Sequence, residues 1–178
     1  MLAPFFGIPA STSTIISRIA RISGADGKLD DAFSPTLNGQ VSTLQLQSDG
    51  KVVAGGAFST AVGTDGKLDK TTDASGRSTD SVPVRNRLAR FTPEGNLDFA
   101  YNPNANGNVL TSVLQSDGRL VIGGAFTTLQ PNGAADWTLR KYAARLNTDG
   151  TVDASFNLDL SEQAGNRVDS LRLQADGR

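Results

Sequence analysis

Gln115-Ser116-Asp117-Gly118-Arg119 is the stretch that decides the fold, because it is written three times. Gln47-Ser48-Asp49-Gly50-Lys51 precedes it and Gln174-Ala175-Asp176-Gly177-Arg178 follows it. A second element recurs beside it: Ala20-Arg21-Ile22, Ala89-Arg90-Phe91 and Ala144-Arg145-Leu146, each leading into another acid-Gly turn. A unit repeated every ~55–70 residues signals a propeller, a solenoid or an array.

Working outward from the second copy, Leu88-Ala89-Arg90-Phe91 is a short extended run. It enters Thr92-Pro93-Glu94-Gly95, where Pro presets φ and Gly takes a positive φ, as in a type I turn closed by a bulge. Asn96 to Tyr101 reads as the return strand and Asn102 to Gly107 as a loop. Val109 to Gln115 is a third strand, turned by Ser116-Asp117-Gly118 into a fourth, Arg119 to Phe126. The unit is expected to be an all-β, four-stranded antiparallel meander. Strands such as Leu120-Val121-Ile122 are apolar on both faces, so both faces are expected to be covered. Stacked propeller-type blades do this. The pairs Gly55-Gly56 and Gly123-Gly124 remove side chains where a neighbouring backbone comes close.

The expected organisation is a leader over residues 1–17, blade 1 over 18–60 and a polar insertion over 61–86. Blade 2 covers 87–129, a connection 130–141, and blade 3 covers 142–178 without its last strand. That makes two complete units and one incomplete. The leader carries the apolar run Leu2 to Ile8, which is expected to supply a closing or exchanged strand to a blade edge.

Lys plus Arg (17) nearly balances Asp plus Glu (18), so no net field draws the chain to nucleic acid. No apolar stretch approaches the ~20 residues that span a bilayer. The absence of Cys and His removes Ser-His-Asp and Cys-His catalysis and a structural zinc site. Neither a metal nor a cofactor is expected. Met1 to Thr14 lacks a basic n-region and is broken by Pro4 and Pro9, so it does not read as a signal peptide.

The ordered pattern Ala-Arg-hydrophobic, acid-Gly-x-Leu/Val-Asp, then Leu-Gln-x-Asp-Gly-Lys/Arg-hydrophobic-hydrophobic-x-Gly-Gly-x-Phe resembles the delta-60 repeat family, bacterial repeats regarded as β-propeller blades. The resemblance covers nearly all of the chain beyond the leader and the insertion. It implies a structural module of large secreted or cell-surface bacterial proteins and transfers no catalytic motif. Such repeats usually come in longer arrays. The expected partners are copies of this chain or further repeats, with a protein or glycan ligand at the loops.

Repeating residues are weighed first as structure. Asp26, Asp49, Asp117, Asp149 and Asp176 sit in turns. They lack the alternating oxygens of a calcium loop, to which Asp65, Asp69 and Asp73 come nearest. Arg21, Arg90 and Arg145 are expected to pair with Asp30, Asp98 and Asp153 across each outer hairpin. Phe33, Tyr101 and Phe156, like Phe58 and Phe126, recur as core. The residues Trp137, Tyr142, Phe5 and Phe6 do not recur and are the candidate partner contacts. The competing reading is a propeller-type glycan hydrolase or lyase, which needs convergent carboxylates. Asp136, Glu162 and Asp169 are the spare acids for it.

Overall fold

The computed structural model describes residues 18–72, 78–158, 160 and 166–175. Its strands are β1 (Thr36–Leu37), β2 (Val41–Leu46), β3 (Val52–Gly56), β4 (Ala61–Val62), β5 (Asp69–Thr72), β6 (Ser78–Ser81), β7 (Leu88–Phe91), β8 (Val109–Leu114), β9 (Leu120–Gly124), β10 (Thr128–Leu129), β11 (Thr138–Leu139) and β12 (Ala143–Leu146). All pairing is antiparallel.

Two sheets repeat the same construction, β2-β3-β7 and β8-β9-β12. The Asp-Gly turns close β2 onto β3 and β8 onto β9, with Gly50 at φ 82° and Gly118 at φ 84°. A fourth strand adds itself through one bridge, Phe91 to Leu97 in the first sheet and Leu146 to Val152 in the second. Backbone bonds flank each bridge, as in Asp98 N to Arg90 O and Asp153 N to Arg145 O, both 2.8 Å. The chain therefore builds two complete four-stranded blades, spanning 41–98 and 109–153.

The blade limits drawn from the sequence need correction. Within 87–129, β7 pairs with β3 of the preceding repeat while β8 and β9 open the next sheet. Sheet and repeat are out of phase by one hairpin. The polar stretch after β3 returns to its own sheet, where Gly56 N bonds Arg87 O at 3.0 Å. The short loop Asn102 to Asn108 does the opposite and carries the chain across to the next blade. The incomplete remainder is consequently divided. In front stands an outer hairpin alone, with its bridge between Ile22 and Leu29. Behind lies Val168–Ala175, whose Val168 N bonds Gly124 O at 3.1 Å.

Apolar packing fills the spaces between successive sheets. One cluster joins Ile19 and Phe33 of the front hairpin to Ala54, Phe58, Phe91 and Leu97. The other joins Val53, Leu88 and Tyr101 to Val109, Ile122, Phe126 and Leu146 of the following blade. The glycine pair divides its labour. A Cβ on Gly56 or Gly124 would lie 1.9 or 2.0 Å from a carbonyl of its own hairpin, Gln40 O or Asn108 O. A Cβ on Gly55 or Gly123 would strike the first valine of the next inner strand, Val109 at 2.9 Å or Val168 at 2.7 Å. Thr43 Oγ1 and Ser112 Oγ, 2.7 Å apart, share a hydrogen bond across the same joint.

The insertion is only partly a loop. β4 pairs with β1, and β5 with β6 as a separate polar hairpin. The 130–141 connection is a shorter version, with β10 on β11 and a single 3-10 turn at Pro131–Gly133. No helix among the described residues is long and apolar enough to cross a membrane. The leader, with Phe5, Phe6 and its expected strand, lies outside the described residues, as does Asp73.

Candidate functional site: the joints and the rim

Each outer hairpin carries an arginine between its own aspartate and its own aromatic ring. Arg21 Nε donates to Asp30 at 2.8 Å, Arg90 Nε to Asp98 at 2.9 Å and Arg145 Nε to Asp153 at 2.8 Å. The guanidinium carbons stand 4.8, 4.1 and 4.9 Å from the ring centres of Phe33, Tyr101 and Phe156. A cation over a ring face is attracted by the ring quadrupole. The arginine also leaves its own blade. Arg21 Nη1 donates to Pro93 O and Arg90 Nη1 to Thr148 O, both at 2.5 Å. The aromatic covers the glycine of that same turn. A Cβ on Gly95 would lie 3.1 Å from Phe33, and one on Gly150 2.9 Å from Tyr101. Arginine and ring together form a receptor for the next blade's turn. The positive φ of these glycines, 84° and 89°, suits the closure of the turn.

A charge ladder runs across each blade toward the receptor. Lys51 lies 3.2 Å from Asp49 and 3.8 Å from Asp98, and Arg119 lies 3.7 Å from Asp117 and 3.4 Å from Asp153. The hydroxyl and backbone N–H of Ser155 both donate to Asp153 and, with Arg145, hold its carboxyl down at about 2. Burial raises the Tyr101 phenol well above its usual range, which the Arg90 charge only partly offsets.

The Asp-Gly turns of the successive repeats converge on an open groove of about 1480 Å³. Leu46, Asp49, Arg90, Leu114, Asp117 and Leu173 are among its walls. Its charged groups are already engaged by the ladder, and no group of three or more His, Cys, Asp or Glu among the described residues could hold a metal. A second, smaller hollow of about 750 Å³ lies on the rim between Asp65, Lys67, Leu68, Asp69, Asp80 and Phe99. Buried Arg85 lies against two of these residues. The Arg85 guanidinium is 3.9 Å from Asp69 and 5.4 Å from the Phe99 ring centre.

Large apolar side chains gather on this rim. Leu68, Val82, Val84 and Phe99 are exposed around the insertion, and Trp137 and Leu139 on the shorter connection. Trp137 is thus placed where a partner could reach it. Tyr142 is half-buried; its φ is 68°, and its N–H bonds Phe126 O at 2.9 Å. Arg18 (φ 68°) and Arg87 (φ 67°) take the same backbone shape at the same repeat position. A unique side chain here sits on a recurring left-handed backbone position. The spare acids are not drawn into a described site. Asp136 is exposed on the connection, Asp169 is bonded to Arg167 at 3.1 Å, and Glu162 lies outside the described residues.

One repeated hub was not recognised in the sequence. Asn38 Oδ1 accepts from Ser59 N and Thr60 N, while Asn106 Oδ1 accepts from Thr127 N and Thr128 N. The signal was the Asn-Gly dipeptide two residues before Val41 and Val109.

The family model described as a domain of unknown function (DUF5122) β-propeller matches residues 47–71, 63–98 and 115–156, together more than half of the chain. No curated protein and no solved structure matches it.

Proposed function

Because this chain belongs to the DUF5122 β-propeller family, we propose that it is a non-enzymatic repeat scaffold that holds its rim hairpins out to a protein or glycan partner. The observation that carries this reading is the contrast between repeating and non-repeating residues. The repeating arginines and their aspartates are engaged in ladders and joints, as with Arg90 between Asp98 and Thr148. The non-repeating insertions present Leu68, Val82 and Trp137 to solvent, with Phe99 of the neighbouring outer hairpin exposed beside them and unlike charges close by. Exposed apolar groups rimmed by polar ones mark interaction sites. The exposure of Asp136 and the pairing of Asp169 with Arg167 support the non-enzymatic reading. The Leu-Gln-x-Asp-Gly and Gly-Gly pattern supports a narrower placement among delta-60-type repeats, and with it a secreted or cell-surface bacterial setting.

A glycan array and whole bacterial cells, probed with fluorescently labelled protein, test the proposal. The labelled chain is expected to bind a defined target. The triple variant Leu68→Ser, Val82→Ser, Phe99→Ser should lose that binding while its melting temperature holds. Turnover of a glycan by the parent chain, or binding unaffected by the triple variant, overturns it.

A further inference from the structure

The two joints that the chain completes use one set of contacts, an arginine on a turn carbonyl and an aromatic on the turn's glycine. A third receptor of this build stands on the last complete blade. Arg145 is bonded to Asp153 and lies over Phe156, and no turn from another blade is seated on it among the described residues. Phe156 is only half-buried, whereas Tyr101 and Phe33 are buried. A third turn at the same repeat position stands on the front hairpin, at Ser23 to Gly27, one residue longer and closed by Gly27 N on Ser23 O at 2.9 Å. Gly27 has φ 69°, and nothing lies within 4 Å of a Cβ placed on Gly24 or Gly27. Its counterparts Gly95 and Gly150 are both covered.

We propose that the Arg145–Phe156 receptor takes the Ser23–Gly27 turn of a second copy, so that copies join head to tail through the same joint used twice within the chain. The opposite side of that contact agrees. Ser112 is 6 % exposed because Thr43 of the preceding blade sits on it, yet Leu44, at the same repeat position, is 47 % exposed. Leu46 beside it is 70 % exposed. Among the described residues, the front face thus carries no inner part of a blade and the rear face no outer part. The Val168–Ala175 segment and the Ile19–Asp30 hairpin correspond to non-overlapping parts of one such blade. A head-to-tail contact leaves the same two surfaces free on the outermost copies, so it extends or closes into a ring. Closed propellers hold about four to eight blades, so repeated use of this one joint is compatible with a ring.

This inference rests on reading the chain as a repeat scaffold. Its failure is separable from that of rim recognition, because the residues tested here are not on the rim. Sedimentation velocity of the full chain, over roughly micromolar to millimolar concentration, should show mass rising above that of one chain. Gly24→Trp and Phe156→Ala, each alone, should weaken association at least ~10-fold. Circular dichroism of each variant should match the parent. Mixing the two variants should restore association to a pair, because one carries an intact turn and the other an intact receptor. Arg145→Ala serves as a second receptor variant if Phe156→Ala unfolds. A parent chain that stays monomeric throughout, or variants that associate as tightly as the parent, overturns the proposal.

Discussion

The outer hairpins of the first and second repeats are built alike and buried unlike. Both begin at a residue with φ near +67°, both bond arginine to aspartate at 2.8–2.9 Å, and both reach a turn carbonyl in the next blade. Yet Ile22 is 66 % exposed and its counterpart Phe91 is 0 % exposed. The side chains of the Arg21–Asp30 pair are 43 % and 33 % exposed, against 8 % and 15 % for Arg90–Asp98. The difference comes from the strand in front. β3 lies along β7, and no described strand lies along Ile19–Ile22. Local sequence makes the shape of the hairpin, while its energetic weight comes from a neighbour.

That comparison can be broken by cutting the same pair in both places. Asp98→Ala leaves the buried Arg90 charge without its carboxylate and should cost about 3–5 kcal/mol in chemical denaturation. Equal losses from Asp98→Ala and Asp30→Ala would end the claim that the front hairpin is energetically distinct. Next in size is the joint itself. Gly55→Ala places a methyl against Thr43 and Val109 and should cost about 1–3 kcal/mol, with the blades rather than the rim loosened in hydrogen exchange. Asp30→Ala, at a solvent-screened pair, should cost under about 1 kcal/mol.

The smallest effect sharpens the comparison through pH. The Asp153 carboxyl sits at about 2 in the folded chain, against ~3.9 when unfolded. Between those values the unfolded chain binds the extra proton, so stability rises with pH there and is lost as pH falls through about 2. Ser155→Ala removes the hydroxyl that contributes most to this depression. Stability at neutral pH, from chemical denaturation followed by Trp137 fluorescence, should then fall, and the further loss as pH drops from about 4 to about 2 should shrink, because the folded carboxyl moves toward its unfolded value. A pH dependence of stability equal to the parent's would show that the serine hydroxyl does not set the Asp153 carboxyl.

The turns, the strands and the arginine-aspartate pairs could be read directly, because each depends on residues within about ten positions. Asp-Gly demands a turn wherever it occurs, and Arg90 needs only Asp98. The phase of the sheets could not be read this way, because it depends on which loop crosses between blades. Length was misleading here. The long insertion after Gly56 returns to the sheet it left, while the short loop around Pro103 makes the crossing. Ser78–Ser81 and its partner strand carry no apolar alternation, so the rim hairpin had no periodic signal. Tyr142 looked special by residue type, but its backbone position is shared with Arg18 and Arg87.

The half-step offset between repeat and sheet has a consequence for how such a molecule grows. A tandem duplication of one repeat length, wherever its breakpoints fall, adds one inner hairpin and one outer hairpin. The newcomer's first half completes the sheet already there, and its second half waits for the segment that follows. Lengthening the gene therefore lengthens the row of blades without inventing a new seam, and each sheet after the first is laced covalently to the one before it.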